Sequence, residues 1–510
     1  ELMSTEQFIK KVCEEVQHDR TRLMDVVTAV QKEVKCVSED AMELIAKELK
    51  IHTVEVKGVV TFYAFLSQTP KGQVVIRFCN DVVDKIAGVD ELAKVITAEL
   101  GIDFGETSDD GQFSLEWTPC IGMCDQVPAI LVNDVVVTRL TAEKIKDMVK
   151  SLKADADPQK LVTALGDGNN AHELIQSMVE NCIRKAGEVI LAPHEADSGL
   201  KKAVSLSPEE IIKEIKDAKL RGRGGAGFPT GMKWEFTRSA QGDKKFVLCN
   251  ADEGEPGTFK DRVLLTEKYD LLFEGMTVAG YAIGAEQGVI YLRGEYAYLK
   301  RFLNAMLAKR REAKLLGKDI LGKSGFNFDI RIQQGSGAYI CGEESALISS
   351  CEGLRGDPKT RPPFPAQKGY LSSPTSVNNV ETLCAAARIM AKGAVWFAGI
   401  GAVGSPGTKL LSVCGDCGSP GVYEFPTGIT LKELLATVDA KETQAVLIGG
   451  PSGQFIASND FSKTISYDDL GTGGAIVVFN NNRDLIAIAK EYIEFFVEES
   501  CGFCTPCRVG

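Results

Sequence analysis

The chain closes on three cysteines at two-residue spacing, Cys501-Gly-Phe-Cys504-Thr-Pro-Cys507, and no other feature restricts the fold so tightly. Such gaps let successive thiolates converge on one small object, and three in a row open a four-iron cluster site. Leu485, Ile486, Ile488, Ala489, Ile493, Phe496 and Val497 mark one face of an amphipathic helix leading into them. A zinc knuckle is the competing reading, but zinc usually takes its four ligands as two paired C-x2-C arms. A cubane also needs a fourth ligand, and only three residues follow Cys507. Either the protein runs on past Gly510 or that ligand comes from elsewhere in the fold.

Bulk properties narrow the class. A chain of 510 residues holds two to four domains, each able to bury its own core. Charged residues at 25% and apolar ones at 44% are ordinary globular values. A net charge of −12 argues against nucleic acid as the main partner, because phosphate binding needs a basic surface. Fifteen cysteines, in tight clusters and with no signal peptide, favour a reducing compartment in which thiols serve metals. No run approaches the roughly 20 apolar residues of a membrane span. A cytoplasmic protein is expected.

Residues 1–70 read as a helical leader. Ser4 with Gln7 resembles a capping box, and Phe8, Ile9, Val12 and Val16 recur at helical spacing. Over 71–155 the rhythm changes to β-α-β-β-α, with cysteines at strand ends, which suggests a small thioredoxin-like domain. A stretch at 156–170 rich in Ala, Asp and Gly is expected to be a linker. Cys79, Cys120 and Cys124 sit where strands give way to loops and could converge on a two-iron cluster. The place for a fourth ligand is one helical turn after Cys79, where the sequence has Asp84, Asn80 or Asp81 rather than cysteine. Carboxylate is an uncommon ligand there, and a degenerate domain without a cluster is the alternative. Cys414-Gly-Asp-Cys417 is a third C-x2-C, but it lies in a β-turn-β with no partner pair nearby in sequence, so both are expected to be structural.

The central third carries the organic cofactor chemistry. Ser207-Pro208-Glu209-Glu210 starts a helix, and that helix gives way to Arg221-Gly-Arg-Gly-Gly-Ala-Gly-Phe228-Pro-Thr-Gly-Met-Lys233-Trp234. The spacing fits G-x-G-x-x-G, but the dinucleotide fingerprint should follow a strand. The physics holds regardless: glycines bring backbone N–H groups close to a phosphate, and Lys233 adds a point charge. Val247-Leu-Cys-Asn250-Ala-Asp252-Glu253-Gly-Glu255 is a strand breaking into amides and carboxylates, which suit ribose hydroxyls and flavin nitrogens. Gly335-Ser-Gly-Ala-Tyr339-Ile-Cys-Gly342-Glu343-Glu344 and Pro374-Thr-Ser-Val-Asn378-Asn379 add two further loops. Several loops of one α/β domain thus converge on a nucleotide beside a metal cluster, which implies a redox relay.

From Arg221 to Cys507 the chain resembles the flavin-containing, NADH-oxidising subunit of respiratory complex I and its relatives. G-R-G-G-A-G-F-P-T-G-x-K-W, N-A-D-E-G-E-P-G-T-F-K-D-R, G-A-Y-I-C-G-E-E, R-P-P-F-P-A, P-T-x-V-N-N-V-E-T and E-S-C-G-x-C-x-P-C-R stand in that family's order. Residues 1–155 resemble the family's small two-iron subunit, fused in front, as in the diaphorase subunit of cytoplasmic NAD-reducing nickel–iron hydrogenases. The resemblance implies an α/β multidomain fold: the helical leader, a thioredoxin-like ferredoxin domain, and a Rossmann-like FMN- and NADH-binding domain at 171–407. A β-grasp domain at 408–475 and the start of a helical four-iron domain at 476–510 follow.

Site roles follow from the same resemblance. Gly222, Arg223, Gly224, Gly225, Gly227 and Lys233 would hold the FMN phosphate side, with Asn250, Asp252, Asn378 and Asn379 completing the flavin site. Phe228 and Phe236 would stack on the adenine of NADH. Glu253, Glu255, Tyr339, Gly342, Glu343 and Glu344 would line the nicotinamide side and its ribose, with Glu255 and Glu344 at the reacting ring. Arg361 would face the cofactor where relatives often carry lysine. Cys501, Cys504 and Cys507 would be three ligands of a [4Fe-4S] cluster, the fourth lying roughly forty residues further on in relatives. The [2Fe-2S] ligands would be Cys79, Cys120, Cys124 and, where the family has cysteine, Asp84.

The implied reaction is positional: hydride passes between nicotinamide and flavin held face to face, with no acid or base from the protein. The partners implied are NAD(H), a further iron–sulfur subunit and the hydrogenase large and small subunits, and no nucleic acid. A formate dehydrogenase diaphorase, complex I itself, and a scaffold with a dead flavin fold are the competing readings.

Overall fold

The computed structural model describes residues 3–510. The leader forms four helices, Thr5–Glu15, Leu23–Val34, Glu39–Leu49 and Thr53–Val60. The first starts on the capping box foreseen from sequence: Ser4 Oγ accepts from the Gln7 N–H at 3.2 Å, and Gln7 Oε1 accepts from the Ser4 N–H at 3.0 Å. Ile9, Val27, Ile45 and Val59 point inward and join Phe246, Leu248, Val289 and Tyr291 in one apolar core. The leader is therefore a structural layer over the central sheet.

That sheet has four parallel strands in the order Asp329–Gln334, Gln287–Leu292, Phe246–Ala251, Thr375–Asn379. Its other face is covered by the helices Tyr269–Ile283 and Val380–Lys392, whose Met276, Ala279, Leu383 and Ile389 share a core with Val247, Cys249 and Ile290. Helices on both faces explain the near-continuous apolar runs of these strands. All four carboxyl ends open on the same edge, where ligands bind in such sheets.

The ferredoxin-like domain pairs Val74–Cys79 in parallel with Phe113–Thr118 and antiparallel with Ile130–Val132, which turns back into Val135–Val137. Asn133 takes the left-handed conformation at this turn, with φ 52°, which asparagine tolerates. Helices Val89–Leu100 and Ala142–Ala154 close its core.

The second sheet runs Gln454–Ala457, Thr443–Ile448, Ala475–Asn480, Thr408–Gly415, Gly421–Pro426, Ile183–Lys185. Its last strand comes from before the flavin sheet in sequence and pairs in parallel with Gly421–Pro426, so the two regions are interleaved.

The helix Leu485–Glu499 ends the fold, followed by a short helix Thr505–Val509. It docks through Ile488 and Tyr492, while Ile486, Ile493 and Val497 stay exposed. The face read from sequence therefore splits in two, because apolar residues lie on both sides of this helix and only one side meets the body. Among the described residues no helix is long and apolar enough to cross a membrane.

Candidate cofactor and cluster site

The helix Pro208–Asp217, capped by Ser207 and Glu210, delivers the chain into the glycine loop. The loop is pinched at its base: the Gly222 N–H donates to Phe228 O and the Thr230 N–H to Leu220 O, both at 2.9 Å. Within the pinch, Gly224 through Phe228 donate no backbone hydrogen bond to any described residue. A Cβ built on Gly225 would meet no atom within 4 Å. Gly227 has φ 72°, and a Cβ there would lie 2.5 Å from the Tyr467 ring, so only glycine fits. Free N–H groups around open space are what a phosphate requires.

Arg223 is not free to meet that phosphate. Its guanidinium is buried, donating to Arg221 O and Pro406 O at 2.8 Å each. Lys233 reaches the site from the next helix, Thr230–Ser239, donating to Val377 O at 2.9 Å with Glu344 at 3.9 Å. Burial lowers the ammonium pKa. Phe228 and Phe236 are about half exposed, available for stacking.

At the end of the strand Phe246–Ala251, Asn250 Nδ2 donates to Gly342 O at 2.8 Å and binds the acidic loop to the Tyr339–Gly342 turn. Asp252 is buried and its Oδ2 has no partner; burial pushes its carboxyl pKa well up. An orphaned buried oxygen of this kind calls for a partner that the surrounding side chains do not supply. Glu253, expected on the nicotinamide side, is buried and already occupied. It accepts from the N–H groups of Asp261 (2.7 Å) and Arg262 (3.2 Å) and from Tyr296 Oη (2.7 Å), which caps the helix Lys260–Glu267. Burial first, and Asp261 second, raise its pKa to about 8.

Glu255 accepts from Tyr339 Oη at 2.5 Å and from Ser452. Glu343 caps the helix Glu344–Cys351, accepting from the Ser345 and Ala346 N–H groups. Glu344 accepts from Arg361 at 3.0 Å. Asn378 receives the Trp234 indole N–H at 3.2 Å, and Asn379 bonds Asp261 and Lys260 while capping the helix Val380–Lys392. Both amides sit at the cradle, with Asn379 nearest to Gly224.

The second thiol group is fully buried. Cys120 and Cys124 Sγ lie 3.3 Å apart, Cys79 shares their buried core, and Asp81 Oδ2 is 3.9 Å from Cys124 Sγ. Among the described residues, only Asp81, Cys120 and Cys124 gather three donor atoms within 4.8 Å. Asp84 is buried beside Cys79, but its Oδ1 accepts from the Ala129 N–H at 3.0 Å. A compact set of thiols with buried carboxylates fits a small iron–sulfide cluster better than a hard cation. Cys501 is half-buried and Cys504 and Cys507 exposed, around a turn opened by Gly502 at φ 75°. A cubane takes its thiolates at different corners, so their spread suits it.

Several residues here were missed. Arg293 donates to Cys120 O at 2.7 Å and to Glu253 O, so one buried guanidinium joins the thiol loop to the acidic loop. Between them lies a narrow cavity lined by Cys120, Asp252, Arg293, Tyr339, Phe495 and Glu499. No local pattern flags Arg293. Cys414 was set aside for want of a sequence partner, yet it is buried in the same core as Cys79, Cys120 and Cys124. The strand Thr408–Gly415 packs against the helix Val82–Ile86, which follows Cys79, a proximity that sequence spacing cannot express.

Three family descriptions match the chain: a thioredoxin-like [2Fe-2S] ferredoxin over residues 9–153, the Nuo51 FMN-binding domain over 215–388, and the NADH-ubiquinone oxidoreductase-F iron-sulfur binding region over 487–510. The NAD-reducing hydrogenase HoxS subunit alpha of Cupriavidus necator is 48% identical over 504 residues, covering 98% of this chain and 84% of that one. An NADH-quinone oxidoreductase subunit of Rhizobium meliloti is 45% identical over 336 residues, covering 63% and 80%. A crystal structure of an NAD+-reducing [NiFe]-hydrogenase in the air-oxidized state superposes with a TM-score of 0.86 at 36% identity, covering 97% of this chain and 83% of that one.

Proposed function

The chain belongs to the family of NAD-reducing hydrogenase alpha subunits and the related flavin subunits of NADH-quinone oxidoreductase, and from that premise we propose that it is a hydrogenase diaphorase. It is an oxidoreductase that exchanges hydride between NAD(H) and FMN and passes single electrons through iron–sulfur clusters. The observation that carries this reading is the guanidinium of Arg293. It ties the loop of Cys120 to the loop of Asp252 and Glu253, so a one-electron centre and a flavin site are built on shared atoms.

Bound FMN supplies the conversion between a two-electron hydride and single electrons. The protein's part is placement. The open N–H groups of Gly224–Phe228 receive the phosphate, Asn250 and Asn378 fix the loops that meet the ring, and the unpartnered Asp252 oxygen awaits a donor. Glu255 is held by Tyr339 and Ser452, and Glu344 by Arg361, so the nicotinamide side is lined by carboxylates of fixed orientation. The thiols Cys79, Cys120 and Cys124 and the carboxyl-terminal Cys501, Cys504 and Cys507 hold the two clusters. Likeness along 98% of the chain to a hydrogenase subunit, against 63% to an NADH-quinone oxidoreductase subunit, supports hydrogenase partners in a cytoplasmic hetero-oligomer.

The test is to tag the chain in its host, isolate the complex anaerobically, and follow NAD+ reduction driven by H2. A rate that vanishes without H2 is expected. If H2 gives no rate while NADH still bleaches the flavin, the diaphorase stands and the hydrogenase assembly falls.

A further inference from the structure

Resting on the reading that the thioredoxin-like domain holds a two-iron cluster, we propose that Cys414, from the second sheet, is the fourth thiolate of that cluster. The family's cysteine position is occupied here by Asp84, and that carboxylate is bound to the Ala129 N–H, holding the following loop in place. Asp81 is nearer to Cys124, but it caps the helix Val82–Ile86, accepting from the Val83 N–H at 3.3 Å. Each carboxylate thus has a backbone to hold, and oxygen is the poorer donor to iron held by sulfide. Cys414 has neither drawback. It is fully buried in the core that holds Cys79, Cys120 and Cys124, and its one hydrogen-bond partner is Ile476 O, at a long 3.9 Å.

A second observation points to a guest in the same place. Tyr492, from the carboxyl-terminal helix, is 5% exposed, and its hydroxyl has no hydrogen-bond partner. Tyr492 shares a buried core with Cys120, Cys124 and Cys414, and these thiols and Asp81 lie near enough to act on its charge. A buried hydroxyl left without an acceptor is costly, and cluster sulfur beside it would accept its hydrogen bond. Three segments far apart in sequence therefore aim donors at one point. Ligation exchanges the Cys414 thiol proton, released to solvent, for an iron–sulfur bond to the cluster delivered by the cell's assembly machinery. The cluster would then bolt the ferredoxin domain to the second sheet.

The measurement uses the anaerobically purified complex: iron and acid-labile sulfide per chain, and electron paramagnetic resonance after reduction. Native protein should show a two-iron signal. In Cys414→Ala that signal should vanish with two irons and two sulfides, while FMN content and the four-iron signal persist. Cys414→Ser, which keeps the volume, should retain a cluster with shifted g values, and it decides the matter if the alanine variant fails to fold. Unchanged iron, sulfide and g values in both variants would overturn the proposal. So would loss of the signal in Asp84→Asn or Asp81→Asn with Cys414→Ala unaffected, which would make a carboxylate the ligand. Native protein with no two-iron signal would sink the underlying reading as well, a result distinct from either of these.

Discussion

Glu344 stands between two cations, with Arg361 at 3.0 Å and Lys233 at 3.9 Å. On the proposed placement of the dinucleotide, its carboxylate cancels positive charge there and repels the more negative reduced form. Glu344→Gln removes the repulsion and frees both cations, so the two effects add. The pair with Arg361 is partly exposed, which bounds the gain at about 1 kcal/mol, roughly fivefold tighter NADH binding. Titration calorimetry reads this directly, and unchanged NADH and NAD+ affinities would count against the placement. Two neighbouring glycines give a sharper contrast. A Cβ on Gly224 would stand 2.9 Å from Asn379 Cβ, whereas one on Gly225 meets nothing within 4 Å. Gly224→Val should therefore lower both the melting temperature and the FMN content. Gly225→Ala should leave the flavin-free protein as stable as before and still lose flavin, because its methyl would enter the space proposed for the phosphate. Full flavin absorbance in purified Gly225→Ala protein would remove the phosphate from this loop.

At the scale of elements, what joins them is often one buried carboxylate. Glu424, on the strand Gly421–Pro426, accepts from the N–H groups of Gly187, Val189, Ile190 and Leu191 and from Thr408 Oγ1 at 2.7 Å. It fastens the segment entering the flavin domain to the second sheet. Glu424→Gln turns one acceptor oxygen into a donor facing donors, so a loss of about 2–4 kcal/mol is expected in denaturant unfolding. Wild-type stability would mean that the loop is held by other contacts. Glu274, inside the helix Tyr269–Ile283, behaves differently. Burial, then Asp197, raise its pKa from 4.5 to about 8. The folded protein keeps a proton that the unfolded chain has lost, so its contribution is complete below pH 4.5 and fades as pH climbs through about 8. Glu274→Gln should melt with a flatter pH profile between these limits; an unaltered profile would assign the slope elsewhere. Elements with local punctuation were legible in the sequence: the capped helices at Ser4 and Ser207. The strand Ile183–Lys185 was not, since its three residues carry no alternation and exist as a strand only through Gly421–Pro426.

For the molecule as a whole, the loops expected to carry chemistry are legible in the sequence, and the residues that hold them together are not. The glycine, acidic and amide loops announce themselves because each needs unusual residues in a row. Arg293, Cys414 and Tyr492 do not, because their partners lie far away along the chain and their local surroundings are ordinary apolar strand or helix. The same is true of the pair that fixes the ferredoxin domain. Arg262 and Asp125 have no side-chain exposure, with Nη2 and Oδ2 at 2.9 Å, and Arg262 also donates to Gly122 O at 2.8 Å and Glu180 O at 3.1 Å. Gly122 and Asp125 flank Cys124, so the ion pair holds the thiol loop against the flavin domain. Asp125→Asn leaves a guanidinium buried without its countercharge, at a cost of about 3–5 kcal/mol. Replacing both partners, as Asp125→Leu with Arg262→Met, removes the uncompensated charge and should recover most of that stability. Iron content need not recover with it, since the apolar pair no longer binds Gly122 O. The expected pattern is a low melting temperature in the single variant, a near-native one in the double, and reduced two-iron signal in both. If the single variant melts and binds iron as the native protein does, the interface is held by the core around it and not by this pair.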